Sequence, residues 1–514
     1  THPAPPYPKR HYQNNPMRTK YKPPRLRNLK PDKRKGRKKR YILIPLLLVI
    51  LLSLGILLKV RWGAWFGNAP EAPYNTPEEI TRITLTPGSD FTSERTLSWR
   101  SGEHLEASAV YIQEITAGGD TLPEQRIPAL GRLVKSRSGK GCFYHVSLDS
   151  LHLGARYLYQ LQSGERRSPI YSFSMPTKRD CDTTRFVYLG DVQDPAGQMS
   201  STFFREIKAR LADSIQFLAL AGDQIEGPTD QYWQSWYQAQ QGLNTRIPII
   251  AAPGNHEYLK HGFARELDVR WIPQTNYPLN GPKDFLQRSY YIDFPLMRLI
   301  VLDTTDIMWL GAINSHKSWL RHALSSSRQP WQVVLFHHAV DCVREGRKNF
   351  IMHHVFKDEL LAYGADLVLQ GHDHGYARST TRGERGDTIA PAFVISSASP
   401  KVYRNGFSAV HDRLGSGLQL YQDITVTKSQ IHYTSYRFQP DSVSRDSLLD
   451  RSKLLYDEFT LSRGRDRVVH VDDKARSLPE LFLYENFSTD PKGQKRAAQY
   501  AKEVKERRER RKKE

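Results

Sequence analysis

Five apolar segments of this chain each stop at side chains able to hold a metal ion. They end in Gly190-Asp191, Gly222-Asp223, Gly254-Asn255-His256-Glu257, Phe336-His337-His338 and Gly371-His372-Asp373-His374. Singly, an Asp or Asn behind a strand caps the next helix, and a lone His is more often a hydrogen-bonded structural residue than a ligand. Together they form a set of carboxylate, amide and imidazole without thiolate, which suits zinc, manganese or iron. Ligands of an open α/β sheet gather at the carboxyl ends of its strands. Groups spread over about 180 residues are therefore expected on one rim. Glycine ahead of a ligand lets the backbone turn sharply and approach an ion closely.

Such a rim requires alternating strands and helices, and the chain has them from 185 onward. Apolar runs RFVYLGD, SIQFLALAGD, IPIIAAPGNHE, MRLIVLDT, WQVVLFHH and ADLVLQGHDH read as buried strands. Helices are predicted over 201–213, where Phe203, Ile207 and Leu211 share a face, and near 230–242, 315–325 and 352–363. The strand APAFVISSAS and a hairpin over 418–436 follow. This is α/β architecture over 183–440. Residues 81–178 have a different texture, short alternating strands with turn residues between them. They read as a small all-β sandwich of fibronectin or immunoglobulin type. Residues 441–491 form a polar extension with one strand candidate at 455–461, and 492–514 read as a charged helix in solvent.

The net charge of +21 first suggests a nucleic-acid partner, but its location argues otherwise. Residues 1–40 carry 15 Lys/Arg against Asp32 alone, and 492–514 carry 11 against four Glu, so the two tails (+14 and +7) account for all of it. The globular part is neutral, and no nucleic-acid binding is expected. The leader 1–40 has too few aliphatic residues to build a core and reads as disordered. Residues 41–60 open with an uncharged run (YILIPLLLVILLSLGILL), with Trp62, Trp65 and Phe66 beyond. They read as a transmembrane signal-anchor, with 61–80 as linker. The basic flank places the N-terminus in the cytoplasm, against anionic lipid, and the catalytic domain on the periplasmic or extracellular side. Three cysteines allow one bridge, Cys142–Cys181, in an oxidising compartment, or three thiols.

The series GD…GD…GNHE…H…GHxH resembles the calcineurin-like metallophosphoesterases. GHDHGYARS, with RTLSWRS and YSFSMPT in the small domain, is most similar to the purple acid phosphatase branch. That resemblance implies a four-layer α/β-β/α sandwich behind a fibronectin type III-like domain, and two divalent or trivalent ions. It makes Asp223 the carboxylate shared by both ions. Asp191 and His374 complete one site, and Asn255, His337 and His372 the other. His256 would assist the leaving group, and a hydroxide between the ions would be the nucleophile. Two positions depart from the family pattern. Glu226 stands where the purple enzymes have a tyrosine ligand, and Gln193 where many relatives have histidine. Both are candidate ligands, Gln193 through its carbonyl oxygen. Glu257 reads as orienting a neighbour, His338 as a surface residue or a support behind the ligands, and His353 and His354 as exposed, with lining of the cleft as the alternative. Arg344, Arg347 and Lys348 read as a solvated charged loop with phosphate contact as the alternative.

The expected activity is hydrolysis of phosphomonoesters. A phosphodiesterase or pyrophosphatase acting on a nucleotide or lipid head group is the first alternative. A catalytically weak adhesion or docking module is the second.

Overall fold

The computed structural model describes residues 33–512, apart from 195, 241, 263, 309–311, 385, 439–453 and 466–467. Most of the expected basic leader, residues 1–32, therefore lies outside the described residues, as does the start of the C-terminal extension. The chain divides into two units, 1–65 and 66–514.

In the first unit, the helix Lys33–Phe66 contains one stretch, Leu43–Gly63, long and apolar enough to cross a membrane, with a mean hydropathy of 2.7. The helix outlasts the expected anchor at both ends, and its first eight residues, 33–40, belong to the leader expected to be disordered; Lys and Arg are good helix formers.

The second unit begins with an all-β sandwich. One sheet orders Thr81–Pro87, Arg95–Arg100, Lys140–Leu148 and Leu130–Lys135. The other orders Gln125–Pro128, Ser108–Ile115, Arg156–Ser163 and Arg166–Arg167, with Tyr171–Ser174 also on Arg156–Ser163. Between them lie Leu85, Leu97, Trp99, Val110, Tyr144, Tyr159 and Phe173. Cys142, Cys181 and Cys342 are all free thiols.

The α/β part is a 14-stranded hydrogen-bonded array in two halves, twelve strands in one run, with Tyr376–Arg382 also on Thr388–Ile395 and Arg413–Gly415 on Tyr376–Arg382. The first half runs Ile249–Ala251, Phe217–Leu220, Thr183–Leu189, Leu420–Thr427, Gln430–Arg437, Leu455–Arg463 and Val469–Asp473. The second continues with Thr388–Ile395, Leu367–Gly371, Trp331–His338, Met297–Leu302 and Tyr290–Asp293. One parallel trio leads each half toward the site. Alternation along the strands assigns the layers. Val333, Leu335, Leu367 and Leu369 share a core with Phe186, Val187 and Leu218 of the first half. Val334, Phe336 and Val368 point the other way and pack on Leu320, Leu324, Phe356 and Leu360 from the covering helices. Two sheets face to face, with helices outside, give the four layers.

Three expected boundaries move. Strands at 455–463 and 469–473 extend the sheet, so it does not close at 440. The linker is pinned rather than loose, with Asn68 hydrogen-bonded to Lys260 and Glu71 to Arg270. The charged segment at the end is not free in solvent: the helix Pro491–Arg511 buries Tyr500, Val504 and Arg507. The charge pattern hid this, because only one narrow stripe of that helix is apolar.

A buried histidine gives the fold a pH dependence. His316, in the helix Ile313–Ser325, has Nδ1 2.9 Å from the Ala312 carbonyl and Nε2 2.9 Å from Ser289 Oγ. Burial lowers its pKa from 6.5 to about 4. The unfolded chain therefore binds the extra proton first, and this group's stabilisation is present above about 6.5 and lost as pH falls toward 4. By linkage the loss approaches about 3 kcal/mol. In urea titrations at pH 7 and pH 4.5, His316→Gln should lose distinctly less stability between the two pH values than the unaltered chain does.

Candidate metal centre

Every expected ligand sits just past a strand end, and the two parallel trios aim those ends at each other. Asp191 and Asp223 follow Thr183–Leu189 and Phe217–Leu220, and Asn255 opens a single turn after Ile249–Ala251. From the other half come His337, at the end of Trp331–His338, and His372 and His374, just past Leu367–Gly371. The halves are stitched beside the site: Ala398 N–H donates to the Gly190 carbonyl at 2.7 Å, and His372 N–H to Asp191 Oδ2 at 2.7 Å.

The backbone is unusual at these residues. Among the eight described non-glycine residues with positive φ are Asp191 (44°), Asp223 (50°), His372 (75°) and His374 (47°). Such conformations cost on the order of 1–3 kcal/mol each and persist where the surroundings over-determine them. Gly222 (φ 83°) and Gly254 make this possible, since a Cβ on Gly222 would lie 2.8 Å from His337 Nδ1 and one on Gly254 2.2 Å from Asp223 Oδ1.

Asp223 is the hub. Its Oδ2 is 3.1 Å from His337 Nε2, and its Oδ1 accepts the His256 N–H at 2.9 Å. His337 Nε2 is 3.2 Å from Asn255 Oδ1 and 3.0 Å from His372 Nδ1. Asp191, Asp223 and His337 present ligand atoms within 4.8 Å of one another, as do His337, His338 and His372. Backbone carbonyls fix two imidazoles. His337 Nδ1 is 2.8 Å from the Ala221 oxygen and His374 Nδ1 2.8 Å from that of Lys401, so each leaves Nε2 for the site. The Glu257 carboxylate binds no imidazole. It accepts the N–H groups of Gly254, Gln224, Asp223 and Ile225 at 2.7–3.3 Å and ties the two first-half loops together, as the sequence suggested.

The electrostatics call for a cation. Burial pushes the Asp191 carboxyl well above its ordinary range. Burial also works against Asp223, but His337 and His256 outweigh it and hold that carboxyl far below its usual value. Burial opposes charge on His337, yet Asp223 and Asp191 raise its pKa to about 9. Burial drives His374 down to about 3 and His372 well below 6.5, so both imidazoles are neutral and ready as ligands. Asp191 and His337 are thus both pushed toward their protonated forms, and metal ions are the species that satisfy such a donor set. Gln193 supplies a further sign. It is fully buried, and its Nε2 lies 3.4 Å from His374 Nε2 and 3.5 Å from Asp223 Oδ2. Its Oε1 is buried with no hydrogen-bond partner among the described residues. These residues fit a two-ion centre.

Glu226 sits at the rim with one oxygen 3.4 Å from Lys401 Nζ, while its carbonyl accepts from His256 Nδ1 at 2.5 Å. His338 is not a surface residue: it is only 7% exposed, with Nδ1 3.0 Å from Thr304 Oγ1 and its ring centroid 4.3 Å from that of His372. Its place behind His372 is the supporting alternative that the sequence left open. His353 and His354 are exposed, as expected, and with Arg347, Lys348, Phe350 and Val410 they line a cavity of about 360 Å³.

Sequence reasoning missed Asp373, whose Oδ2 accepts the N–H groups of Val343 (2.6 Å) and Arg344 (3.1 Å). It also missed Tyr403, whose ring centroid lies 5.1 Å from that of His374 and 3.6 Å from the Arg344 guanidinium carbon. Both act through loops that carry no periodic signal.

Comparison with known proteins agrees with this geometry. The family described as calcineurin-like phosphoesterase matches residues 184–376. The chain is 21% identical over 428 residues to a purple acid phosphatase of Glycine max, covering 79% of this chain and 86% of that protein. It is 23% identical over 284 residues to an Fe(3+)-Zn(2+) purple acid phosphatase of Arabidopsis thaliana, covering 51% of this chain and 56% of the relative. The structure of purple acid phosphatase PPD1 from yellow lupin (Lupinus luteus) seeds superposes with a TM-score of 0.57 at 16% identity, covering 76% of each chain. By fold, motif and donor set, residues 184–376 are a calcineurin-like phosphoesterase domain, set in a chain similar to the purple acid phosphatases.

Proposed function

We propose that this protein is a membrane-anchored, metal-dependent phosphatase that hydrolyses phosphomonoesters outside the cytoplasm. One observation carries the reaction class. A buried carboxylate, Asp223, sits in a cluster of donors, 3.1 Å from His337 and 3.5 Å from Gln193, with Asp191 grouped beside it and Asn255 and His372 on His337; the family resemblance assigns Asp191 and His374 to one ion and Asn255, His337 and His372 to the other. Two ions of zinc, manganese or iron in those sites would supply an activated water and neutralise the phosphoryl oxygens.

The chain's own groups do the rest. His256 is oriented from both sides, its N–H on Asp223 and its Nδ1 on the Glu226 carbonyl. Nε2 then faces the site, 3.9 Å from Asp223 Oδ2, in a side chain 22% exposed. It is the group placed to protonate a departing alkoxide. The cavity beside Arg347 leaves room for the organic part of an ester.

Anchoring rests on Leu43–Gly63, and the outward orientation on the positive charge of the leader. The leader's contact with membrane lipid rests on the same charge. The all-β unit is read as fibronectin type III-like from its two sheets and strand spacing.

A panel of phosphomonoesters and diesters, assayed with zinc, manganese and iron, tests the reaction. Turnover of monoesters well above diesters is expected, and the reverse preference would make the chain a phosphodiesterase. The departures at Gln193 and Glu226 are tested by metal analysis. Gln193→Ala should fall from two ions toward one, because it removes a buried donor facing Asp223 and His374. Glu226→Ala should keep both, because Oε1 is drawn to Lys401 at the rim, although Oε2 is buried without a hydrogen-bond partner among the described residues. The opposite pattern would make Glu226 the ligand.

A further inference from the structure

The helix Pro491–Arg511 lies far along the chain from every metal donor, yet it braces the loops that border them. Tyr500 OH is 2.6 Å from Ser416 Oγ, and its ring centroid lies 5.4 Å from that of Phe407. Arg507 is buried against Glu480 at 2.7 and 2.9 Å and donates to the Asp412 carbonyl at 3.1 Å. At its near end Arg496 pairs with Glu345, whose carboxylate also accepts from Arg404 Nε at 2.6 Å.

Glu345 belongs to a turn held on three sides. Its N–H donates to the Arg404 carbonyl at 2.9 Å, Gly406 N–H donates to the Val343 carbonyl at 2.7 Å, and Asp373 takes the Val343 and Arg344 N–H groups. Two residues on, Arg347 places Nη1 3.5 Å from the His372 carbonyl oxygen and 3.7 Å from Asp373 Oδ1, with the side chain still 23% exposed. A guanidinium with free donors beside a ligand histidine matches the planar array of phosphoryl oxygens.

We propose that the C-terminal helix is a positioning element of the phosphate site. Arg496, acting through Glu345, holds the 343–347 turn so that Arg347 takes an oxygen of the bound phosphoryl group. This rests on the phosphatase reading above and adds a binding residue and its support. Arg496 is the positioning residue. Arg347 is the one that touches substrate.

The test uses the full chain in detergent, with Arg347→Ala, Arg496→Ala, Arg496→Lys and the Arg347→Ala/Arg496→Ala pair. Readouts are kcat and KM for an aryl phosphate, calorimetric Kd for inorganic phosphate, and metal content. Arg347→Ala should raise KM and phosphate Kd about tenfold or more, the usual scale for a charged hydrogen bond. Arg496→Ala should raise both several-fold with two ions retained, and kcat should fall less than KM rises. Arg496→Lys should recover most of that loss, since a cation again meets Glu345. The double variant should bind phosphate no more weakly than Arg347→Ala alone, because Arg496 acts only through Arg347. Additive losses, or an Arg496→Ala chain that melts earlier with unchanged phosphate Kd, would overturn the proposal. If the unaltered chain hydrolyses no ester, the phosphatase reading fails, while phosphate calorimetry on the same variants still decides this one.

Discussion

Asp223→Asn is expected to lower kcat/KM by more than about a hundredfold, the upper end of losses from residues that merely support a ligand. Its metal content should drop as well. Asparagine keeps the shape but has one acceptor oxygen where two are used. Oδ1 takes the His256 N–H at 2.9 Å, and Oδ2 lies 3.1 Å from His337 Nε2 and 3.5 Å from Gln193 Nε2. If the amide oxygen stays on His256, the NH2 points at the imidazole and the metal positions and repels both. If it turns round, the NH2 meets the His256 N–H, donor against donor, and the group placed for protonation loses its orientation. Either way the site also loses a buried negative charge that ions must balance. Steady-state kinetics and metal analysis on the same preparation check this, with circular dichroism to establish that the fold is intact. An intact variant with two ions and near-normal turnover would remove the hub from the mechanism and the phosphatase reading with it.

The sequence made the ligand set readable because all its members sit on strand termini. A strand end is visible as an apolar run that stops, and an α/β sheet collects such ends whatever their separation along the chain. Asp191, Asp223, Asn255, His337, His372 and His374 could accordingly be expected on one rim without any knowledge of the loops. The layers were legible for the same reason, since Val333 and Val334 must face opposite sides of a strand. Residues that act from loops were not legible. Asp373 lies between two ligands and looked like one more acidic residue, but its carboxylate turns away to hold Val343 and Arg344. Charge-rich segments misled in one direction only. Arg507 lies in the segment read as solvated, and it is buried in an ion pair with Glu480. Composition reports the number of charges in a segment and nothing about long-range partners.

Long-range ion pairs explain why the second unit, a sandwich and an α/β domain, is well defined. Ions in the interior are retained only where each is matched. The matches join segments far apart in sequence: Glu71 with Arg270, and Arg82 with Asp230. The linker and the sandwich are each tied to the α/β domain by such a pair, and the C-terminal helix by Arg507 on the Asp412 carbonyl, so they are parts of one folded body and not beads on a string.

The largest stability effect should come from Asp230, which joins sandwich to catalytic domain. A bulge between Thr81 and Thr84 puts Arg82 at a φ of 51° and re-aims its side chain out of the sheet. Arg82 Nη2 then reaches Asp230 Oδ1 at 2.6 Å, and Arg100 Nη1 reaches the same oxygen at 2.8 Å. Asp230 Oδ2 accepts from Arg270 Nη1 at 2.7 Å and Ser138 Oγ at 2.5 Å. Arg270 also binds Glu71 and Asp268, so three guanidiniums face three carboxylates. Burial and the neighbouring Arg100 already lower the Arg82 pKa to about 10, which leaves that cation dependent on its partner. Removing Asp230 strands Arg82 and Arg100 without a carboxylate in a buried contact, and breaking one side of a buried pair costs about 3–5 kcal/mol. Asp230→Ala should therefore melt well below the unaltered chain. Because the lost contact is the one between domains, calorimetry should show the single transition splitting, with the sandwich and the catalytic domain unfolding separately. Restoring balance by also removing the two sandwich cations, as in Asp230→Ala/Arg82→Leu/Arg100→Leu, should recover part of the lost melting temperature. A single transition at the original temperature in Asp230→Ala would mean that the two domains are held together by their apolar contacts alone.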